Sequence, residues 1–210
     1  MSANKLLTTL LLTTLLLTIC ELATAQTVMP QDLDMSAVSE THVAIADLSD
    51  PAMAGKTFVA ATIMNAPLQK LCSVIMDYPE YPQFMPNTER TRVVFSSDDY
   101  TLIEMTLGLP LGKTKKYRLK MESAITRQFC QLSWKLVPWG GLEPSETIAD
   151  TSGYWRLTPY PENKNKTLVK YYVYADPGPV PYGLGWVVDA LSKISLPRTL
   201  EALRERVVTR

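Results

Sequence analysis

Histidine is nearly missing from this sequence: His42 is the only one, and it lies in an N-terminal stretch with weak structural signals. Neither a Ser/His/Asp nucleophile set nor a multi-histidine metal site is built from it. Glycine is sparse, at nine residues, and no phosphate-cradling glycine motif or Cys-x-x-Cys pair occurs. Excess charge of either sign is also absent, since 21 basic residues balance 21 acidic ones. That balance removes the electrostatic case for nucleic acid or a strongly anionic surface and favours neutral or apolar partners. No second composition regime and no internal repeat is present.

What is there begins with an N-terminal signal. Lys5 is followed by an apolar and Thr run of about 14 residues, Leu6 to Ile19, and then by Ala23-Thr24-Ala25, of small-x-small form. Residues 1–25 read as a cleaved export signal, too short for a span of roughly 20 residues. The competing reading lipidates Cys20, but the bulky Ile19 stands where such signals prefer a small side chain. Residues 26–42 read as a partly disordered leader and 43–210 as one domain. The expected location is therefore periplasmic or extracellular. Two cysteines remain, Cys72 and Cys130. They either pair, closing a loop of nearly 60 residues worth about 4 kcal/mol in unfolded-state entropy, or stay as two buried thiols.

The periodicities predict an α+β fold. Thr57 to Met64 is a β-branched and apolar strand, with Thr41 to Ala46 a short edge strand before it. Asn65-Ala66-Pro67 then opens a helix whose Leu68, Leu71, Cys72 and Ile75 share one face. Strands with period-two alternation follow. Ile103, Met105 and Leu107 face one way, as do Tyr117, Leu119 and Met121, then Cys130, Leu132, Trp134 and Leu136, then Trp155 with Leu157, and Val169, Tyr171, Val173 and Ala175. Tyr172 and Tyr174 blur the last of these, and the register of Arg92 to Phe95 is not legible. After Pro181 an apolar helical stripe runs through Leu184, Val187, Val188, Leu191 and Ile194 and on to Leu200, Leu203 and Val207, with a bend expected at Pro197. A long helix with such a stripe lies on the dry face of the sheet, leaving room for a cavity.

The connections alternate in chemistry. Ser96 to Asp99, Thr126 to Gln128 and Glu162 to Lys166 are polar, whereas Gly108 to Gly112, Pro138 to Leu142 and Asp176 to Pro181 are apolar or rigid. In an antiparallel meander successive turns fall at opposite ends, so the apolar ones gather at one end. Tyr81, Phe84, Leu109, Leu111 and Trp139 are the expected cavity rim there, and Tyr117, Trp134, Tyr171, Trp155, Met105 and Leu119 the expected ligand-binding wall. Each is equally a candidate for plain core packing. Asp98-Asp99 reads as a turn pair, and Glu143, Glu146 and Asp150 as carboxylates near the rim.

The segment Asp77-Tyr78-Pro79-Glu80-Tyr81-Pro82-Gln83-Phe84-Met85-Pro86-Asn87 resembles the START-like, or SRPBCC, superfamily, most of all its polyketide cyclase/dehydrase and coenzyme-Q-binding branches. Asp176-Pro177-Gly178-Pro179-Val180-Pro181 is similar to the turn leading into that superfamily's last helix. The resemblance spans roughly Val43 to Val208. It implies a helix-grip fold, a curved antiparallel sheet wrapped round a long C-terminal helix. The implied function is non-enzymatic binding or transport of a lipid or other hydrophobic small molecule in an internal tunnel. No cofactor, metal or nucleic acid is expected, and transient membrane contact is. The alternative is a cyclase or hydrolase acting on a hydrophobic substrate in the same cavity.

Overall fold

Among the described residues eight strands make one antiparallel sheet, in the spatial order Ala44–Asp47, Lys56–Met64, Asn163–Asp176, Asp150–Tyr160, Cys130–Val137, Thr114–Ile125, Thr101–Gly108 and Thr88–Ser96. The structure, a computed structural model, describes residues 33–109, 112–179 and 185–209, with residues 185–194 described by backbone only. The expected export signal lies outside the described residues, as do Leu111 and the Leu184 to Ile194 side chains.

The strands are β1 Ala44–Asp47, β2 Lys56–Met64, β3 Thr88–Ser96, β4 Thr101–Gly108, β5 Thr114–Ile125, β6 Cys130–Val137, β7 Asp150–Tyr160 and β8 Asn163–Asp176. From β3 to β8 every strand pairs with the next in sequence, so this is an unbroken meander. The polar turns accordingly lie at one end and the apolar ones at the other. Helix α1, Leu68–Ile75, follows β2, and the short α2, Tyr81–Phe84, precedes β3. The last helix α3, Gly185–Thr209, runs continuously through Pro197.

The dry face is where the alternation places it. Ile103, Met105, Leu119, Met121, Cys130, Leu132, Trp155, Leu157 and Val169 are buried in one cluster with the α1 side chains Leu71, Cys72, Val74 and Ile75 and the α3 side chains Leu196, Leu200, Leu203 and Val207. At roughly 25 cal/mol per Å² of apolar area removed from water, this shared core is the main force holding both helices on the sheet. Cys72 and Cys130 form a disulfide, with Cα atoms 6.0 Å apart, that ties α1 to the first residue of β6.

A second, smaller cluster explains Tyr172. Leu33, Ala44, Val59 and Ala61 are buried on the opposite face of β2, with Tyr172 packed against them and stacked on Tyr154 at 5.3 Å. The chain before β1 covers that part of the outer face, so β8 is apolar on both sides there. Ser39 is tied down too, its carbonyl accepting from the Ile63 amide and the Thr62 hydroxyl.

Register in β3 shifts twice, between Thr88 and Arg90 and between Val93 and Phe95. Each shift moves the following side chains to the other face, which is why no alternation is readable. As an edge strand β3 leaves Val93, Val94 and Phe95 exposed.

Farther along the outer face, Glu104 accepts from Arg92 (2.5 Å) and from Arg118 (2.6 Å). Burial raises the Glu104 carboxyl, but hydrogen bonds from Arg118 and Arg92 and their charges outweigh it and hold the group below its ordinary range. A carboxyl depressed in the folded state contributes stability above its unfolded pKa and loses it as pH falls through the folded one. Thermal unfolding of Glu104→Gln is therefore expected to show a shallower acid limb than the wild type below the ordinary value of 4.5, with the two curves converging at low pH. Parallel acid limbs would remove this role.

Candidate functional site

A cavity of about 310 Å³ lies between the concave face of the sheet and α3, opening at the end where the apolar connections meet. Met105 and Leu107 of β4, Tyr117 and Leu119 of β5, Trp134 of β6, Trp155 of β7 and Tyr171 and Val173 of β8 form its wall. Tyr81, Met85 and Pro86 come in beside β3, Leu109 and Pro177 stand at the opening, and Ser195 and Thr199 reach it from α3. The six residues expected on the wall thus all line one space.

The expected rim divides. Tyr81 and Leu109 line the cavity. Phe84 does not: its ring stands edge-on to Tyr81 at 5.7 Å and faces the Arg206 guanidinium at 6.0 Å, filling the seam between α2 and α3. Trp139 is also elsewhere. Its ring lies 5.3 Å from the Arg118 guanidinium, on the outer side of β5, where the cation partners the indole face. Leu111 falls outside the described residues. Glu143, Glu146 and Asp150 are exposed and do not line the cavity.

One wall is a run of rings. Trp134 stacks on Tyr171 with centroids 5.5 Å apart, and Tyr171 meets Trp155 at 4.2 Å. Trp134 and Tyr171 sit on β6 and β8, so the indole must cross β7 to reach the phenol. Gly153, opposite Trp134, makes the crossing possible, because a Cβ there would stand 2.4 Å from the indole and 2.3 Å from the Tyr172 carbonyl oxygen.

Polar groups are few and specifically placed. Burial pushes the Tyr117 hydroxyl up to about 12 and raises the Tyr171 hydroxyl as well, with Tyr117 adding to the latter shift, so the two phenols face one space as neutral groups. Neither has a hydrogen-bond partner among the described residues. Thr151 donates to the Tyr174 carbonyl and is used up by the sheet.

Lys115, which the sequence reading passed over, is 2 % exposed. Its Nζ donates to the carbonyl oxygens of Thr147 (2.7 Å), Pro177 (2.5 Å) and Pro179 (3.1 Å). Burial lowers its pKa and the nearby Asp176 carboxylate partly restores it. The ammonium thereby joins β5 to the β6–β7 loop and to the turn before α3. Parity was the missed signal, since Lys115 stands two residues before the inward Tyr117 and so shares its face. The turn that it holds is built by Asp176, whose Oδ1 accepts from the Gly178 amide at 2.8 Å while Gly178 adopts φ +68°, a conformation suited to glycine. Among the described residues no group of three or more His, Cys, Asp or Glu side chains is placed to hold a metal ion.

Comparison with known proteins finds no matching family model and no matching curated protein sequence. Solved structures do match. A STAR-related lipid transfer protein from Xanthomonas axonopodis superposes with a TM-score of 0.67 at 17 % identity, over 79 % of this chain and 93 % of that one. Human StAR-related lipid transfer protein 5 gives 0.64 at 13 % identity over 84 % and 88 %. The Zhui aromatase/cyclase from Streptomyces sp. R1128 gives 0.58 at 13 % identity over 80 % and 96 %. The resemblance read from the Asp77 to Asn87 segment and the architecture agree with these matches in fold: the chain has the START-like helix-grip fold, a curved antiparallel sheet of eight described strands closed by a C-terminal helix.

Proposed function

We propose that this domain binds and carries a lipid or other hydrophobic small molecule outside the cytoplasm, without chemical turnover. The observation that carries the reading is the cavity itself, about 310 Å³ and walled mainly by apolar and aromatic side chains. Moving an apolar ligand from water into it contributes about 0.8 kcal/mol per buried CH₂. The similarity in fold to two lipid-transfer proteins supports the reading. Its polar groups favour holding over reaction: the phenols stay protonated at neutral pH, and Lys115 is committed to three carbonyls. The buried disulfide supports an oxidising location, as the N-terminal signal does. Leu109 and Met85 at the opening suit brief contact with a lipid surface during loading.

The test uses the mature chain. Organic extraction of the protein purified from its host, read by mass spectrometry, is expected to release an apolar molecule. A solvatochromic hydrophobic probe should bind the emptied protein. Met105→Trp, which places an indole in the cavity, is expected to weaken the probe at least about tenfold, or 1.4 kcal/mol. An unchanged probe affinity in a folded Met105→Trp protein would place binding elsewhere and end the reading.

A further inference from the structure

The charged and hydroxyl groups around the cavity are unequally committed, and that inequality defines a ligand class. Lys115 donates its three hydrogen bonds to loop carbonyls. Asp176 accepts from Gly178 and adds a negative charge beside the opening. Among the described residues, then, no cation inside the cavity is left to pair with an anion, and Lys113 stands in solvent at its mouth. By contrast Tyr117, Tyr171, Ser195 and Thr199 bring four hydroxyls to the cavity, and none has a hydrogen-bond partner among the described residues. The Tyr117 and Tyr171 rings come from β5 and β8, at opposite sides of the curved wall, and are near enough for one phenol to affect the other.

We propose that the cavity selects an uncharged amphiphile presenting an oxygen acceptor (an ester, ketone or alcohol) to the Tyr117 and Tyr171 hydroxyls, and turns away the ionised carboxylate of the same chain length. The proposal rests on the carrier reading above. An isolated carboxylate in apolar surroundings with no compensating cation is strongly unfavourable. An uncharged oxygen carries a small desolvation cost and satisfies hydroxyls that otherwise lack a partner, which is the larger asymmetry in hydrogen-bond energetics. A phenol both donates and accepts, so alcohols pair as well as esters do.

The experiment compares four ligands of one chain length, decane, methyl decanoate, decan-1-ol and decanoic acid, by displacement of the bound probe at pH 8. The ester and the alcohol are expected to bind at least about tenfold tighter than the alkane and the ionised acid. Affinity for the acid should rise as pH falls towards 5, by up to about tenfold per pH unit, as its uncharged fraction grows. The double variant Tyr117→Phe/Tyr171→Phe should keep the alkane affinity and lose the head-group preference. An acid that binds as tightly as the alcohol at pH 8, or a preference that survives in the double variant, overturns the proposal. Four equal affinities would sink it while leaving the carrier reading standing. Failure of the probe and of every ligand, decane included, would sink both.

Discussion

Replacing Cys72 and Cys130 together by alanine is expected to lower the unfolding free energy by about 4 kcal/mol, the entropy of a closed loop with this sequence separation of 58 residues. For a chain of this size that corresponds to a fall in Tm on the order of 10 °C. The effect is large because of what the bridge joins. Cys72 lies on the buried face of an eight-residue helix, too short to be stable by its own hydrogen bonds, and Cys130 is the fully buried first residue of β6. The tether holds α1 against the sheet while the apolar cluster forms around it. Urea unfolding checks the expectation. Reductant should bring the wild type down to the stability of the double variant and leave the variant unchanged. A loss below about 1 kcal/mol would mean that the closed loop does not constrain the unfolded chain as the entropy of closure requires.

The second large effect is expected at Lys115. Lys115→Met keeps most of the aliphatic stem but removes the donor to the carbonyls of Thr147, Pro177 and Pro179. Hydrogen bonds from a charged donor are worth about 1.5–3 kcal/mol each. Three are lost, water at the opening replaces part of them, and the desolvation of the ammonium is relieved. The net cost is expected at about 2–4 kcal/mol. Its location separates it from a general loss of packing. The Ala149 amide donates to the Asp176 carbonyl and the Gly178 amide to the Asp176 side chain, so both report on the turn that Lys115 secures. Hydrogen exchange at these two amides should accelerate more than exchange in β6 and β7, and probe release should become faster. Uniform acceleration across the sheet, or none at the two amides, would count against the clasp.

Much of the wall was open to reading because a strand has only two faces. Once Met105, Tyr117, Trp134, Trp155 and Tyr171 are assigned to the inward parity of their strands, a curved sheet brings them together without further information. The same logic fails where the strand is irregular, as in β3 with its two register shifts. It also fails outside strands. Trp139 follows Arg118 and Phe84 follows Arg206, partners that are near in space but distant in sequence. For Lys115 parity pointed inward while residue type pointed outward, and what settled the conflict is a cage of carbonyls from two other segments.

Alternation along the regular strands, the alternation of turn chemistry and the stripe on the last helix suffice to specify a sheet with one dry face, a greasy end and a helix laid across it. These are local patterns, and each carries its own physical consequence. Pairing of Cys72 with Cys130, the capture of the Lys115 ammonium and the size of the hollow depend on how close separate segments come in space. Such distances belong to the packed chain, because they are set by the summed shape of all the side chains between them.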